Sequence, residues 1–273
     1  MIKELKRELK KEEKEKSYSK YFYKPIATPN EELMGILKKG PMNPDKALNP
    51  ENIKKLLEAG YDEVETGYCT LPNGAAYVAV NNKFPGVSID MINWWFAWHA
   101  LEDLRYMLWF RTGHYGISIS DEDREKILNP ETPMLEKFQG RVHYVIEDTG
   151  NGPEDIRISF LTPEEIGFDS KELKEKNITI VCGNGLAQSR AGGPKAPAVM
   201  MHLFREVPGG IESRTRFWMG YNIIDKKFCK LIPDGVQIPI QAPMGLAFHN
   251  VEEYTNLANI LPSLYREMNG EIF

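Results

Sequence analysis

The sequence predicts an α+β fold in which a curved antiparallel sheet wraps around one long C-terminal helix, behind a small N-terminal extension. Three observations predict it. Residues 249–268, HNVEEYTNLANILPSLYREM, place Val251, Tyr254, Ala258, Leu261, Tyr265 and Met268 at three- and four-residue steps, the period of an amphipathic helix on a core. The stretches RVHYVIED, AVMMHLFREV and GIESRTRFWMGY alternate instead of forming continuous apolar runs, which argues against a parallel βαβ sheet. Residues 1–60 lack the apolar density for a core of their own, which leaves residues 61–273 as the main domain. A sheet closed around a helix leaves a cavity between the two.

Residues 1–16 are almost all Lys and Glu with a few Leu and Ile, and read as a solvated helix or frayed tail. SYSKYFYKPIATPNEEL is aromatic and then broken by Pro25 and Pro29; PMNPDKALNPENIKKLLEAG predicts one short helix ending at Gly60. This extension is expected to pack on something else, such as a second subunit, so a homodimer or higher homo-oligomer is expected. GYDEVETGYCTLPNGAAYVAVN predicts two short strands about a turn at Pro72, Asn73 and Gly74. In VSIDMINWWFAWHALEDLRYMLWF, Ser88 is placed to cap a helix and Asp90 suits its first turn. Met91, Trp94, Trp95, Trp98, Leu101, Leu104, Met107 and Leu108 keep helical spacing across that segment. Four of the five tryptophans fall there, which implies a large core or the wall of an aromatic-ligand pocket.

RTGHYGISISDEDREKI predicts a loop and a short polar helix. RVHYVIED predicts a strand with His143, Val145 and Glu147 on one face, and DIRISFL a second strand after the turn TGNGPE. ITIVC reads as a short buried strand. GNGLAQSRAGGPKAPA reads as a flexible loop, either a lid or plain surface. It lacks the third Gly of a dinucleotide fingerprint and the Gly-Lys-Ser/Thr of a phosphate loop, which sets a nucleotide site aside. AVMMHLFREV and GIESRTRFWMGY predict a hairpin about Pro208, Gly209 and Gly210. Alternation in the second strand puts Arg214, Arg216 and Trp218 on one face, and Thr215, Phe217, Met219 and Tyr221 on the other.

A net charge of −5, with acids interleaving the bases at the start, gives no reason to expect nucleic acid or an anionic membrane as partner. No apolar run reaches the length of a membrane span, and MIKELKRELKKEEKEK does not read as a signal peptide. Three scattered cysteines, Cys69, Cys182 and Cys229, point to a reducing cytoplasm and to neither a disulfide frame nor a Cys-type zinc site.

Any metal centre must draw its nitrogens from five histidines: His99, His114, His143, His202 and His249. His249 and Glu253, four apart, lie on one helix face one turn apart, half of a metal site by type and spacing. On a wheel of about 100° per residue, Glu253 falls beside Leu257, Ile260 and Leu264, while Glu252 faces water with Asn256. The competing reading is an exposed helix start whose Glu residues favour the dipole. His143 and Glu147 cannot clasp one ion together, because four strand residues span about 13 Å. His99 among tryptophans reads as a hydrogen-bonded structural residue, and His114 follows a glycine at the exit of the Trp-rich segment.

The stretches GYCTLPNGAAYVA, DMINWWFAWH, LRYMLWFRTGHY, VHYVIEDTG, RTRFWMGY and AFHNVEEY come in the order of a known family. From about residue 20 to the C-terminus, the chain resembles the C-acylphenol hydrolases, the family of phloretin and 2,4-diacetylphloroglucinol hydrolases. The resemblance implies a Bet v 1-like (helix-grip) domain and a zinc ion held by two His and two Glu. It implies cleavage of the bond between an acyl group and a phloroglucinol-type ring, so the expected partner is a small acylated polyphenol. Residue by residue, the zinc ligands are similar to His114, Glu147, His249 and Glu253, and the pocket tyrosine eight residues before the first ligand to Tyr106. Tyr221 stands as a candidate second pocket tyrosine, and His202 as a further lining residue. YGISIS follows the first His where the family carries polar residues, which leaves the preferred acyl group open. Two alternatives remain: a helix-grip protein that carries an aromatic ligand without chemistry, and a two-His, one-carboxylate iron dioxygenase.

Overall fold

The computed structural model of the protein describes residues 8–272. Most of the Lys/Glu-rich start is thus described only from residue 8 onward, and residues 1–7 lie outside the described residues. The N-terminal stretch is a chain of short turns: α1 (Lys11–Lys14), a 3-10 turn at Ser19–Tyr23, α2 (Glu31–Leu37), and 3-10 turns at Pro44–Lys46 and Pro50–Leu57. Asn30, Asn43 and Asn49 cap three of these with their side-chain oxygens, and a proline opens each of the last two, where its missing N–H costs nothing.

The hairpin β1 (Gly67–Thr70) and β2 (Ala76–Pro85) follows, then α3 (Ile89–Trp98) and α4 (Asp103–Trp109). Next come β3 (His114–Ser118), α5 (Asp121–Leu128), β4 (Val142–Asp148), β5 (Pro153–Leu161) and α6 (Ser170–Glu175). Three long strands, β6 (Ile178–Ser189), β7 (Ala196–Val207) and β8 (Gly210–Met219), lead to a small hairpin, β9 (Tyr221–Ile224) with β10 (Lys227–Lys230), and to α7 (Gln241–Glu267). Eight strands make one antiparallel sheet in the order β1-β2-β8-β7-β6-β5-β4-β3. The fold is therefore α+β, a large antiparallel sheet carrying a C-terminal helix.

α7 packs mainly along β2 and β1, and buries Val251, Tyr254, Leu257, Ile260, Leu261 and Leu264. Tyr254 meets Phe84 and Trp109 edge-on, which joins the helix to the Trp-rich core. The outer face of the sheet is covered as well. Arg214 and Arg216 are buried there and held by Asp62 and Glu65, and Trp218 donates its ring N–H to Leu48 O at 2.9 Å. From residue 8 to about residue 65 the chain thus lies against its own sheet and helices: the Tyr18 hydroxyl also donates to Glu102 at 2.6 Å, and the Ala27 N–H to Asn256 at 3.0 Å.

Three expectations change. The last helix starts at Gln241, not at 249, because Pro243 sits in the first turn, where proline is tolerated. The Trp-rich helix is two: a 3-10 turn at His99–Leu101 and an extended Glu102 divide α3 from α4 and turn the second helix towards the sheet. The supposed loop 183–198 is mostly sheet, forming the ends of β6 and β7. Its glycines serve close packing: a Cβ on Gly183 would come 2.8 Å from Ser159 O. Asn184 replaces the missing backbone partners by accepting from Ile223 N at 2.7 Å and donating to Ile223 O at 2.9 Å.

Candidate active site

β3, β4 and α7 bring four chemically apt residues together. In the β3–β4 ladder, His114 is directly opposite Glu147. Gly113 lets the chain pass close to the helix, since a Cβ there would come 2.9 Å from His249 Cε1. α7 supplies His249 and Glu253 one turn apart. His114, Glu147 and His249 each offer a donor atom, and all three atoms lie within 4.8 Å of one another. His249 Nε2 is 3.0 Å from Glu147 Oε1 and 3.3 Å from His114 Nε2. Glu253 Oε2 reaches both imidazoles, 3.5 Å from His114 Nε2 and 3.8 Å from His249 Nε2.

This donor set fits a divalent ion. Four ligands about 2 Å from one zinc ion stand about 3.3 Å apart, close to the spacings here. His114 Nδ1 faces Tyr106 O at 3.3 Å, and a carbonyl only accepts, so Nδ1 carries the proton and Nε2 presents its lone pair to the cluster. Two imidazole nitrogens facing each other between two carboxylates is an arrangement that a shared cation satisfies and a purely apolar core does not.

Three supporting groups hold the carboxylates. The Tyr106 hydroxyl donates to Glu147 Oε2 at 2.6 Å, while its ring stacks on His114 at 4.3 Å and 6°. Asn250 Nδ2 donates to Glu253 Oε1 at 3.1 Å, and Asn82 Nδ2 donates in turn to Asn250 Oδ1 at 3.1 Å. Burial alone would raise the Glu147 carboxyl, but the bond from His249 and the two imidazoles outweigh it and hold it at about 2. Burial would likewise lower His249, yet Glu253 and Glu147 lift it to about 9. Burial, reinforced by the Glu147 charge, pushes Tyr106 well above the usual phenol range, so its hydroxyl stays protonated.

Tyr106, Glu147 and Glu253 border a cavity of about 500 Å³ between sheet and helices. Its walls are chiefly apolar, with Phe96, Trp109, Ile156, Phe160, Met200 and Phe217 among them. His202 lines it too, with Nδ1 2.9 Å from Thr215 Oγ1 and its pKa driven by burial to about 3. His99 and His143 also line it, although the sequence places neither in a site.

Tyr221 is not brought to the cavity. Gly220, at φ +91°, breaks the alternation between β8 and β9, so Met219 faces inward while the Tyr221 hydroxyl turns away and accepts from Asn73 Nδ2 at 2.7 Å. Asn82 and Asn250 escape the sequence reading. Asn82 shares the inward register of β2 with Val78, Val80 and Phe84, and a lone polar residue in such a row is a legible signal. Asn250 stands three residues before Glu253, the spacing of a helical pair.

Residues 48–266 match the DAPG hydrolase PhiG domain family. The chain is 36% identical over 260 residues to the phloretin hydrolase of Eubacterium ramulus, covering 94% of this chain and 92% of that one. It is 32% identical over 265 residues to a 2,4-diacetylphloroglucinol hydrolase of a Pseudomonas species, covering 92% of this chain and 88% of the relative. It is 31% identical over 265 residues to the enzyme of that name from Pseudomonas protegens, covering 92% and 84%. Similarity this extensive, spanning all the elements that assemble the His–Glu cluster, means that the chain belongs to the DAPG hydrolase PhiG domain family and is a C-acylphenol hydrolase.

Proposed function

We propose that the protein is a zinc-dependent hydrolase that cleaves the C–C bond between an acyl group and a phloroglucinol-type ring, with phloretin as substrate and phloroglucinol and phloretic acid as products. The observation that carries this reading is the compact set of His114, Glu147 and His249, joined by Glu253, at the wall of an apolar cavity. His114, Glu147, His249 and Glu253 would hold the zinc, which when bound supplies a Lewis acid for the acyl carbonyl and for water.

The residues divide the remaining work. A bond to a ring carbon breaks only if that carbon can take a proton, and a 1,3,5-trihydroxy ring does so through its keto tautomer. The hydroxyl of water ends on the acyl carbon and its hydrogen on the ring carbon, so phloretin and water give the two products without a redox step. Glu147 and Glu253 are the bases at hand to accept the water's proton. Tyr106 gives its one proton to Glu147 Oε2 and turns an oxygen lone pair to the cavity, where it accepts from a phenolic hydroxyl of the substrate. His202, neutral and on the cavity wall, is a second hydrogen-bonding partner for the ring. The apolar walls exclude bulk water from the leaving ring.

The same reading takes residues 61–273 as a Bet v 1-like (helix-grip) catalytic domain, and residues 1–60 as an extension that contributes to a homodimer or higher homo-oligomer working in the cytoplasm. Light scattering that returned a monomer mass would remove the oligomer. The test of the activity is anaerobic incubation of purified protein with phloretin, with and without a chelator, followed by chromatography and a metal count. Release of both products, abolished by the chelator, with about one zinc per chain, is the expected result. A metal-loaded protein that releases neither product overturns phloretin as substrate. Turnover that needs oxygen would favour a dioxygenase instead.

A further inference from the structure

The cavity has a second polar pole. On β4, His143, Val145 and Glu147 face the same way, and all three border the cavity. Four strand residues span about 13 Å, so His143 lies deep along the wall from the donor cluster. Around it stand Phe96, His99, Ile158 and Phe160. Its ring meets His99 edge-on at 5.7 Å and Phe160 at 4.6 Å.

Both histidines present hydrogen-bonding capacity that the chain does not use. His99 Nδ1 is 2.7 Å from Trp95 O; the carbonyl only accepts, so Nδ1 donates and Nε2 is left as an acceptor. His143 Nε2 is buried and has no hydrogen-bond partner among the described residues. Burial drives His99 down to about 3 and His143 well below the usual imidazole range, so both rings are neutral. A buried polar atom without a partner is costly, and the aromatic and aliphatic neighbours of this pole offer none.

We propose that His143, together with His99, is a specificity determinant that hydrogen-bonds a phenolic hydroxyl at the far end of the acyl arm, so that the enzyme selects acylphenols whose arm ends in a hydroxyaryl group. The inference rests on the C-acylphenol hydrolase reading above. A hydroxyl at this pole donates to His99 Nε2 and, with His143 in its Nε2–H tautomer, accepts from that N–H, giving the orphaned nitrogen its partner. Reach decides which part of the substrate it belongs to. With the acyl carbonyl at the cluster, the hydroxyls of the trihydroxy ring all lie within one ring of it. A second ring carried on a short linker extends deep enough to meet a pole about 13 Å along β4. Phe96 and Phe160 are the faces and edges that a flat ring packs against. A two-carbon acyl group would leave the pole unmet.

The test compares kcat/KM for phloretin and for its analogue whose arm ends in plain phenyl. Wild-type enzyme is expected to prefer phloretin by about tenfold, the scale of one buried hydrogen bond lost. His143→Phe, which keeps the ring packing, should bring that ratio to about one by raising KM for phloretin while leaving the phenyl analogue unchanged. His143→Gln should restore part of the preference, and thermal melts show whether each variant is folded. A wild type that turns over both compounds equally overturns the proposal without any variant. So does a folded His143→Phe that slows both alike, which would place the trihydroxy ring at this pole. A wild type that turns over no acylphenol at all would instead sink the hydrolase reading.

Discussion

Tyr106 touches the cluster through a single hydroxyl and packs on it through its ring, so the two contributions can be separated. Tyr106→Phe keeps the stack on His114 and removes the donor to Glu147 Oε2. It should lower kcat by roughly 10- to 100-fold while the folded protein keeps its metal. Unchanged kcat would reduce Tyr106 to a piece of wall. Glu212 makes a different case, on the outer face of the sheet. Burial would raise its carboxyl, but bonds from Lys83, Arg205 and Asn81 hold it at about 2. A carboxylate depressed by folding stabilises the protein above its ordinary pKa, and that contribution is lost as pH falls towards about 2. Glu212→Gln should therefore cost about 2 kcal/mol at neutral pH, with the gap closing between about pH 5 and pH 2. Urea midpoints measure it, and a gap that stays constant across that range would show that the charge is not its source. At this scale the sequence was informative in unequal ways. His249 and Glu253 declare themselves by helical spacing, whereas His114 and Glu147 become recognisable only through family resemblance, because a ladder partner is invisible in one dimension. Tyr221 was misplaced for a local reason: period-two alternation holds only while the strand does, and Gly220 ends it.

Among the elements, strands with clear alternation were legible and so was the register of their faces. The hairpin of β7 and β8 turns where Gly209 and Gly210 predict, and β4 faces the cavity with the residues its alternation selects. What escaped were segments whose composition argues one way and whose tertiary contacts argue another. The final helix is expected only from residue 249, yet Pro243 is harmless in a first turn at Gln241, and a Cβ on Gly245 would come 2.6 Å from Thr149 O in the loop after β4. That loop approaches the helix so closely that only glycine fits, a fact about two distant segments. Gly183 poses the same problem in β6, where the Gly-rich run is a strand because β5 needs the room. Gly183→Ala should destabilise the protein by about 1–3 kcal/mol, read as a lowered melting temperature, because the backbone of Ser159 cannot yield as a flexible side chain would. A variant as stable as wild type would show that the two strands can part at no cost.

At the scale of the whole molecule, the site is a clasp between parts of the fold that are far apart in sequence. His114 stands on β3 at one edge of the sheet, Glu147 on the neighbouring β4, and His249 and Glu253 on α7, whose main packing is against β2 and β1 towards the other edge. A cation shared by these donors therefore ties the two edges through the helix, so its binding free energy acts on global stability. Among the side chains themselves the tie is electrostatic, carried by His249 and Glu147 at 3.0 Å. Zinc at about 100 times its dissociation constant should add about 2.7 kcal/mol, provided the unfolded chain binds it poorly. For a chain of this size that corresponds to a rise in melting temperature of roughly 5–10 °C. Glu147→Gln with His249→Gln should melt at one temperature whether zinc or chelator is present, whatever its own stability. The comparison is internal to each protein, so it does not depend on the substitutions being neutral. If zinc raises both proteins equally, the ion is stabilising the fold from somewhere other than the clasp. If it raises only the wild type, the site and the grip of sheet on helix are one cooperative structure.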